Sequence, residues 1–208
     1  MSLIKEIYGH SPQLVQGIGI FLGSYILGCF TAGYYFVRLR TGKDIRQFGS
    51  GSVGARNVGR VVGPFGFALT LLVDFAKGAV AVWAAMHFTA SARLAAVAMV
   101  AVVMGHIWPF QLRFRGGKGI AASLGALLVY DYSLALALLP LFVGILVLLR
   151  RTVLSGLLAF ALIPLVGILM RQGALQLVAL SALVALVLIA HRKNLVAEVV
   201  DLGRRRNF

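Results

Sequence analysis

The amino-acid sequence predicts an all-α, polytopic integral membrane protein with seven transmembrane helices, the N-terminus outside and the C-terminus inside. Three observations carry this reading. Only 12% of the 208 residues are charged and the mean hydropathy is +0.93, whereas a soluble domain carries roughly 25% charge. Apolar runs fill residues 17–37, 65–86, 92–107, 119–149, 153–170 and 173–190, against the ~20 residues a helical span needs. Lysine and arginine, finally, gather in alternate connections.

The first run, 17–37, follows a polar leader without a basic n-region, so it is expected to be a retained span and not a cleaved signal. Runs 65–86 and 92–107 each provide one span. The fourth run is too long for one helix: its residues 119–149 would extend ~46 Å at 1.5 Å per residue, beyond a ~30 Å hydrocarbon core. It is interrupted by Tyr130, Asp131 and Tyr132, and is therefore divided into 119–130 and 133–149. The short first half is the kind of segment that begins at a binding loop buried in protein. Runs 153–170 and 173–190 complete the seven.

Charge tests this division, because cytoplasmic connections hold an excess of Lys and Arg. With seven spans, sixteen basic residues fall on one side, three (Lys5, Arg93, Arg171) on the other, and Lys77 within a span. Six spans would move Arg150, Arg151 and the C-terminus to the opposite side. The net charge of +14 thus sets orientation and attracts anionic lipids or phosphorylated substrates. It does not indicate nucleic-acid binding, which uses a solvated basic face. Cys29 stands alone within an apolar run, so no intrachain disulfide forms. Residues 1–208 are read as one transmembrane domain, and no metal or cofactor is expected.

Three polar segments then fall at the same membrane face. GSGSVGARNVGR (49–60) contains a G-x-G-x-x-G match at Gly49, Gly51 and Gly54, but a membrane helix and a basic loop precede it instead of the strand that a dinucleotide fold needs. What remains is phosphate binding by glycine-opened amides near a helix start; a flexible loop with arginines obeying the positive-inside rule is the alternative. In GHIWPFQLRFRGGKGIAASLG (105–125), Gly116, Gly117 and Gly119 bracket Lys118 just before a helix, so a second phosphate cradle is expected. His106 is read as packing or ending its helix. In HRKN (191–194), His191 and Asn194 share a helix face, with Arg192 and Lys193 turned toward lipid head groups. A role for His191 in substrate binding or proton transfer is expected. Asp74 and Lys77, three apart within a span, are read as a structural ion pair.

These segments resemble the bacterial acyl-phosphate:glycerol-3-phosphate acyltransferases, the PlsY family, whose first loop runs close to GSGNPGATNVxR. DFAKG at 74–78, GHIWPFQLRFRGGKG at 105–119 and HRKN at 191–194 follow in family order and spacing. The resemblance implies an enzyme of the bacterial inner membrane, with its active site at the cytoplasmic face, that transfers a fatty acyl group from acyl phosphate to glycerol 3-phosphate. The products would be lysophosphatidic acid and phosphate. By position, Ser50, Arg60, Lys118, His191 and Asn194 would line the glycerol-phosphate and reaction site, with His191, Asn194 and Ser50 in catalytic roles. Gly51, Gly54, Gly116 and Gly117 would hold the acyl-phosphate head, together with Arg56 and Asn57. The partners implied are the two substrates and membrane lipids.

The chain departs from the family pattern at Ser52 and Arg56, where asparagine and threonine are usual, at Val53 and Ala122, and at Leu154, the serine lying at 155. Two alternatives are a transporter of a phosphate ester or anion and a catalytically altered paralogue. No histidine has an acidic residue five positions on, so the His-Asp acyltransferases are a poor match.

Overall fold

The computed structural model describes residues 2–198, which are helical and contain no strand. Helix α1 (Ser2–Cys29) and α2 (Ala32–Thr41) form one long apolar element broken at residues 30–31. A basic loop leads to α3 (Ala55–Val62), then α4 (Pro64–Thr89) and α5 (Ala92–Ile107). The GGKG loop precedes α6 (Ile120–Tyr130), followed by α7 (Tyr132–Leu149), α8 (Thr152–Ala161), α9 (Ile163–Leu169), α10 (Ala174–Ala190) and α11 (Arg192–Glu198), the last bent 66° from α10. Five elements are long and apolar enough to cross a membrane, and the bent α10–α11 pair makes a sixth, while α6 is apolar but shorter. Arg204, Arg205 and Arg206, counted in the charge argument, lie outside the described residues.

Local chemistry explains the element boundaries. Asp131 divides the fourth apolar run: its carboxylate accepts from the amides of Ser133 and Leu134 and caps α7. Its other oxygen accepts from Gln172 at 2.6 Å, tying this turn to the start of α10. Ser91 caps α5 through the Leu94 amide. Pro164 stands in the first turn of α9, where its missing N–H costs nothing, and the α8–α9 element breaks just before it.

Close approach of backbones builds the core. Gly28 on α1 faces the Val102 carbonyl of α5, and Gly105 on α5 faces the Tyr25 carbonyl of α1. Gly78 on α4 lies on the Ala122 carbonyl of α6, and Gly125 on α6 lies on the Phe75 carbonyl of α4. Small residues at such positions let helices pack where lipid supplies no hydrophobic drive toward association. Ala95, Ala98, Ala101, Ala122 and Ala126 are fully buried in the same interior.

The break at residues 30–31 has a specific compensation. Nζ of Lys77 on α4 donates to the carbonyls of Gly28 at 3.0 Å and Phe30 at 2.7 Å. It also meets Asp74 Oδ1 at 2.9 Å and His106 Nδ1 at 2.8 Å. The ion pair expected from the sequence is present, and it closes an interrupted helix. Gln111 Nε2 donates to the Cys29 carbonyl and Tyr25 Oη to the Trp108 carbonyl, so the break is joined to the end of α5.

Gly125→Val places carbon against the Phe75 carbonyl, an overpacking error worth ~1–3 kcal/mol or more, and is expected to lower the thermal midpoint in detergent clearly. Gly144→Ala in α7, where a methyl meets nothing within 4 Å, is expected to leave it unchanged or raise it, since alanine is favoured in helices by about 1 kcal/mol. Differential scanning fluorimetry of both variants is the check.

Candidate active site

The first glycine loop is shaped from within. Gly49 and Gly51 have positive φ values of 55° and 69°, a conformation that costs glycine little. Beneath them, Asn57 of α3 is 2% exposed. Its Nδ2 donates to the Phe48 carbonyl at 3.0 Å and the Ser52 carbonyl at 2.9 Å, and its Oδ1 accepts from the Ser50 amide at 2.9 Å. Asn57 lines the cavity described below, and both ends of its amide are engaged by the loop. Gly51 donates its N–H to the Phe48 carbonyl and lies outside the cavity described below. With Asn57 turned inward, α3 presents Arg56 and Arg60, four residues apart, on its exposed face.

Arg46, not singled out in the sequence, braces this loop. It pairs with Asp44 at 2.7 Å and donates Nη1 to the Leu112 carbonyl at 2.8 Å, linking the two glycine loops. Hydrogen bonds from Arg46 hold the Asp44 carboxyl below its ordinary pKa, against partial desolvation.

The second loop departs from expectation in its register. Gly116 donates its N–H to the Ile107 carbonyl at 3.1 Å and Gly117 to the His106 carbonyl at 3.0 Å. Neither amide is available to a phosphate, and neither residue lines the cavity. These glycines instead let the loop fold tightly on the end of α5, where a methyl on Gly117 would collide with the His106 ring. The unpaired amides at the start of a helix belong to its first turn, and Gly119, Ile120 and Ala121 are the residues there that face the cavity.

Lys118 and the C-terminal segment meet directly: Lys118 Nζ donates to Asn194 Oδ1 at 2.6 Å. Burial first, then the nearby Arg56 and Arg60 cations, lower the Lys118 pKa. His191 sits at the bend after α10, 7% exposed, with Nδ1 2.9 Å from the Val187 carbonyl. A carbonyl only accepts, so the proton is on Nδ1 and Nε2 carries the lone pair.

These residues surround a cavity of about 760 Å³. Its lining combines a polar set, Ser50, Arg56, Arg60, Lys118, His191 and Asn194, with an apolar set that includes Leu124, Leu138, Phe142 and Phe160. Gly54 also lines it. Asp74 and His106, read from sequence as structural, stand on its wall, as do Thr152 and Glu198. Glu198 pairs with Arg151 at 2.7 Å; its spacing of seven from His191 and four from Asn194 was the available signal. Ser155 is buried away from the cavity, and Thr152 supplies the hydroxyl from α8.

Comparison with known proteins agrees with this geometry. The glycerol-3-phosphate acyltransferase family model matches residues 18–199. Glycerol-3-phosphate acyltransferase 1 of Desulfitobacterium hafniense (strain Y51) is 45% identical over 174 residues, 84% of this chain and 86% of that protein. The Bacillus cereus (strain ATCC 14579) protein of the same name is 34% identical, covering 83% of this chain and 94% of its own. The crystal structure of PlsY (YgiH), an integral membrane glycerol 3-phosphate acyltransferase in its glycerol 3-phosphate form, superposes with a TM-score of 0.82 at 29% identity, over 89% of this chain and 92% of that one. With the family model spanning nearly all of a helical membrane chain built around a cavity of cationic and apolar lining, this protein belongs to the glycerol-3-phosphate acyltransferase family.

Proposed function

We propose that the chain transfers a fatty acyl group from acyl phosphate to the 1-hydroxyl of glycerol 3-phosphate, releasing lysophosphatidic acid and inorganic phosphate. One observation carries the choice of donor: a single cavity joins a cationic lining to an apolar one, as a phosphate attached to an alkyl chain requires. A phosphate-ester transporter needs polar lining on both sides of the midplane, whereas here the cationic lining residues lie on α3 and at the start of α6, beside His191 and Asn194 at the end of α10, and most of the remaining lining is apolar.

An acyl phosphate is a mixed anhydride with a good leaving group, so direct attack by the glycerol hydroxyl requires no covalent enzyme intermediate. Arg56, Arg60, Lys118 and the first amides of α6 neutralise two phosphates that would otherwise repel, and hold them in reacting geometry. Asn194 fixes the Lys118 ammonium, and the Nε2 lone pair of His191 accepts the hydroxyl proton. Ser50, an exposed lining residue, adds a hydroxyl to the phosphate site. The roles of Asn57, Gly51, Gly116 and Gly117 are to shape and pack the two loops. The apolar interior takes the acyl chain.

In this reading all seven apolar segments cross the inner membrane, with the N-terminus outside and the cationic side of the cavity cytoplasmic. Glycine-bracketed Lys118, Arg150 and the 191–194 segment then share one side, as charge asymmetry requires. Cysteines introduced at Arg93 and Arg150 report on it: an impermeant thiol reagent applied to intact spheroplasts is expected to label the first and spare the second. The native Cys29 is buried, which keeps the background low.

Purified protein incubated in detergent with acyl phosphate and glycerol 3-phosphate is expected to produce lysophosphatidic acid; absence of product overturns the assignment. His191→Ala is expected to lower kcat by ~10²–10⁴, the usual value of a general base, and Lys118→Ala to raise KM for glycerol 3-phosphate at least tenfold. Because the Lys118 pKa is depressed, its ammonium is lost on the alkaline side earlier than in a free lysine. KM is therefore expected to rise with pH through that lowered value. Arg56→Thr, which removes a repelling cation, is expected to move this limb to higher pH, as measured in KM profiles of the two proteins.

A further inference from the structure

Two histidines line the cavity, and their hydrogen bonds hold them in opposite tautomers. At His191 the Val187 carbonyl takes the Nδ1 proton and leaves Nε2 as an acceptor. At His106 the arrangement is reversed. Its Nδ1 is 2.8 Å from Nζ of Lys77, and an ammonium only donates. Its three protons are shared among four acceptors, this ring nitrogen, Asp74 and the carbonyls of Gly28 and Phe30. The Asp74 oxygen is more distant from Nδ1, at 3.4 Å. Nδ1 of His106 is thus the acceptor, and the ring proton sits on Nε2.

His106 is 3% exposed and still faces the cavity, and its Nε2 has no hydrogen-bond partner among the described residues. The Nε2 edge of the ring packs against Gly117, next to Lys118, where only the lack of a side chain at Gly117 leaves that edge uncovered. With Asp74 it lines the same cavity as the cationic and the apolar sets. A phosphate held by the first and an alkyl chain held by the second meet at the acyl carbonyl.

We propose that Nε2–H of His106 donates a hydrogen bond to the carbonyl oxygen of bound acyl phosphate and stabilises the oxyanion developing there. The inference rests on the acyl-phosphate reading above. In the step, a bond forms between the glycerol oxygen and the carbonyl carbon, and the carbon–oxygen bond to phosphate breaks with its electron pair leaving on the phosphate. The hydroxyl proton goes to Nε2 of His191. His106 keeps its proton throughout and remains neutral. The Lys77 ammonium on the opposite nitrogen polarises the ring and strengthens Nε2–H as a donor, much as an outer-shell partner tunes a metal-bound histidine. Fixed donors in a water-poor site are the most effective kind of oxyanion stabilisation.

His106→Asn keeps an oxygen for Lys77 at the Nδ1 position and removes the donor; His106→Gln carries an amide N–H toward the Nε2 position. The asparagine variant is expected to lose ~100-fold in kcat, as removal of an oxyanion donor does, with KM for glycerol 3-phosphate within threefold of wild type. The glutamine variant is expected to regain at least tenfold of that loss. Independently, the infrared carbonyl stretch of a bound, non-hydrolysable acyl phosphonate is expected at lower frequency in wild type than in His106→Asn. An asparagine variant with kcat within threefold of wild type, or one altered in KM alone, overturns the proposal. If that variant does not fold, the wild-type stretch decides: a frequency no lower than that of the free analogue in an apolar solvent overturns it. Wild type that neither turns over acyl phosphate nor binds the phosphonate removes the donor reading and this inference together; normal turnover with insensitive His106 variants removes this inference alone.

Discussion

The Lys77 ammonium is the point on which the rest of the structure depends. It is 4% exposed in the middle of a membrane helix, and its contacts reach α1, the break that follows it, and α5. A lone charge at this depth is costly, and unpaired carbonyls at a helix break cost several kcal/mol each in the absence of water. Each problem offsets the other. The ammonium satisfies the two carbonyls freed at residues 28 and 30, and the break supplies partners for the ammonium. Asp74 neutralises it, and removing one member of such a buried pair costs ~3–5 kcal/mol in soluble proteins. Through His106 the same cluster reaches the loop that carries Lys118.

Positive charge is unevenly placed along the cavity wall. Burial first, and then the Arg56 and Arg60 cations, depress the Lys118 pKa, and such a group of cations favours an anion between them. Lys77, by contrast, is paired with Asp74, so that part of the wall offers fixed dipoles in place of net charge. This distribution suits the proposed reaction of a phosphorylated acceptor with a donor that carries an apolar chain.

Close helix packing makes that geometry rigid. Gly78 and Gly125 bring the α4 and α6 backbones together, which fixes the first turn of α6, and hence Lys118, relative to Asp74. Gly28 and Gly105 do the same for α1 and α5, setting the broken helix over the end of α5. The site is therefore held by interlocked helices, and its loops are braced by Asn57 and the Arg46–Asp44 pair.

Hydropathy and charge asymmetry determined the helical class, the apolar segments and the division at Asp131, because these depend on local composition and on capping. Motif spacing also located most of the polar lining of the cavity, since His191 and Asn194, or Arg56 and Arg60, fall on one face by helical period alone. Only the tertiary structure decided which polar groups are free. The Asn57 amide is engaged by its own loop at the cavity wall, and the Gly116 and Gly117 amides are spent on the end of α5, leaving the next turn to face the cavity. The break at residues 30–31 bears no proline or glycine at its centre, because the lysine that satisfies it lies 47 residues away. A hydrogen-bond donor or charge has the same sequence signature whether paired or unpaired, and pairing is settled by neighbours that only folding brings within 3 Å.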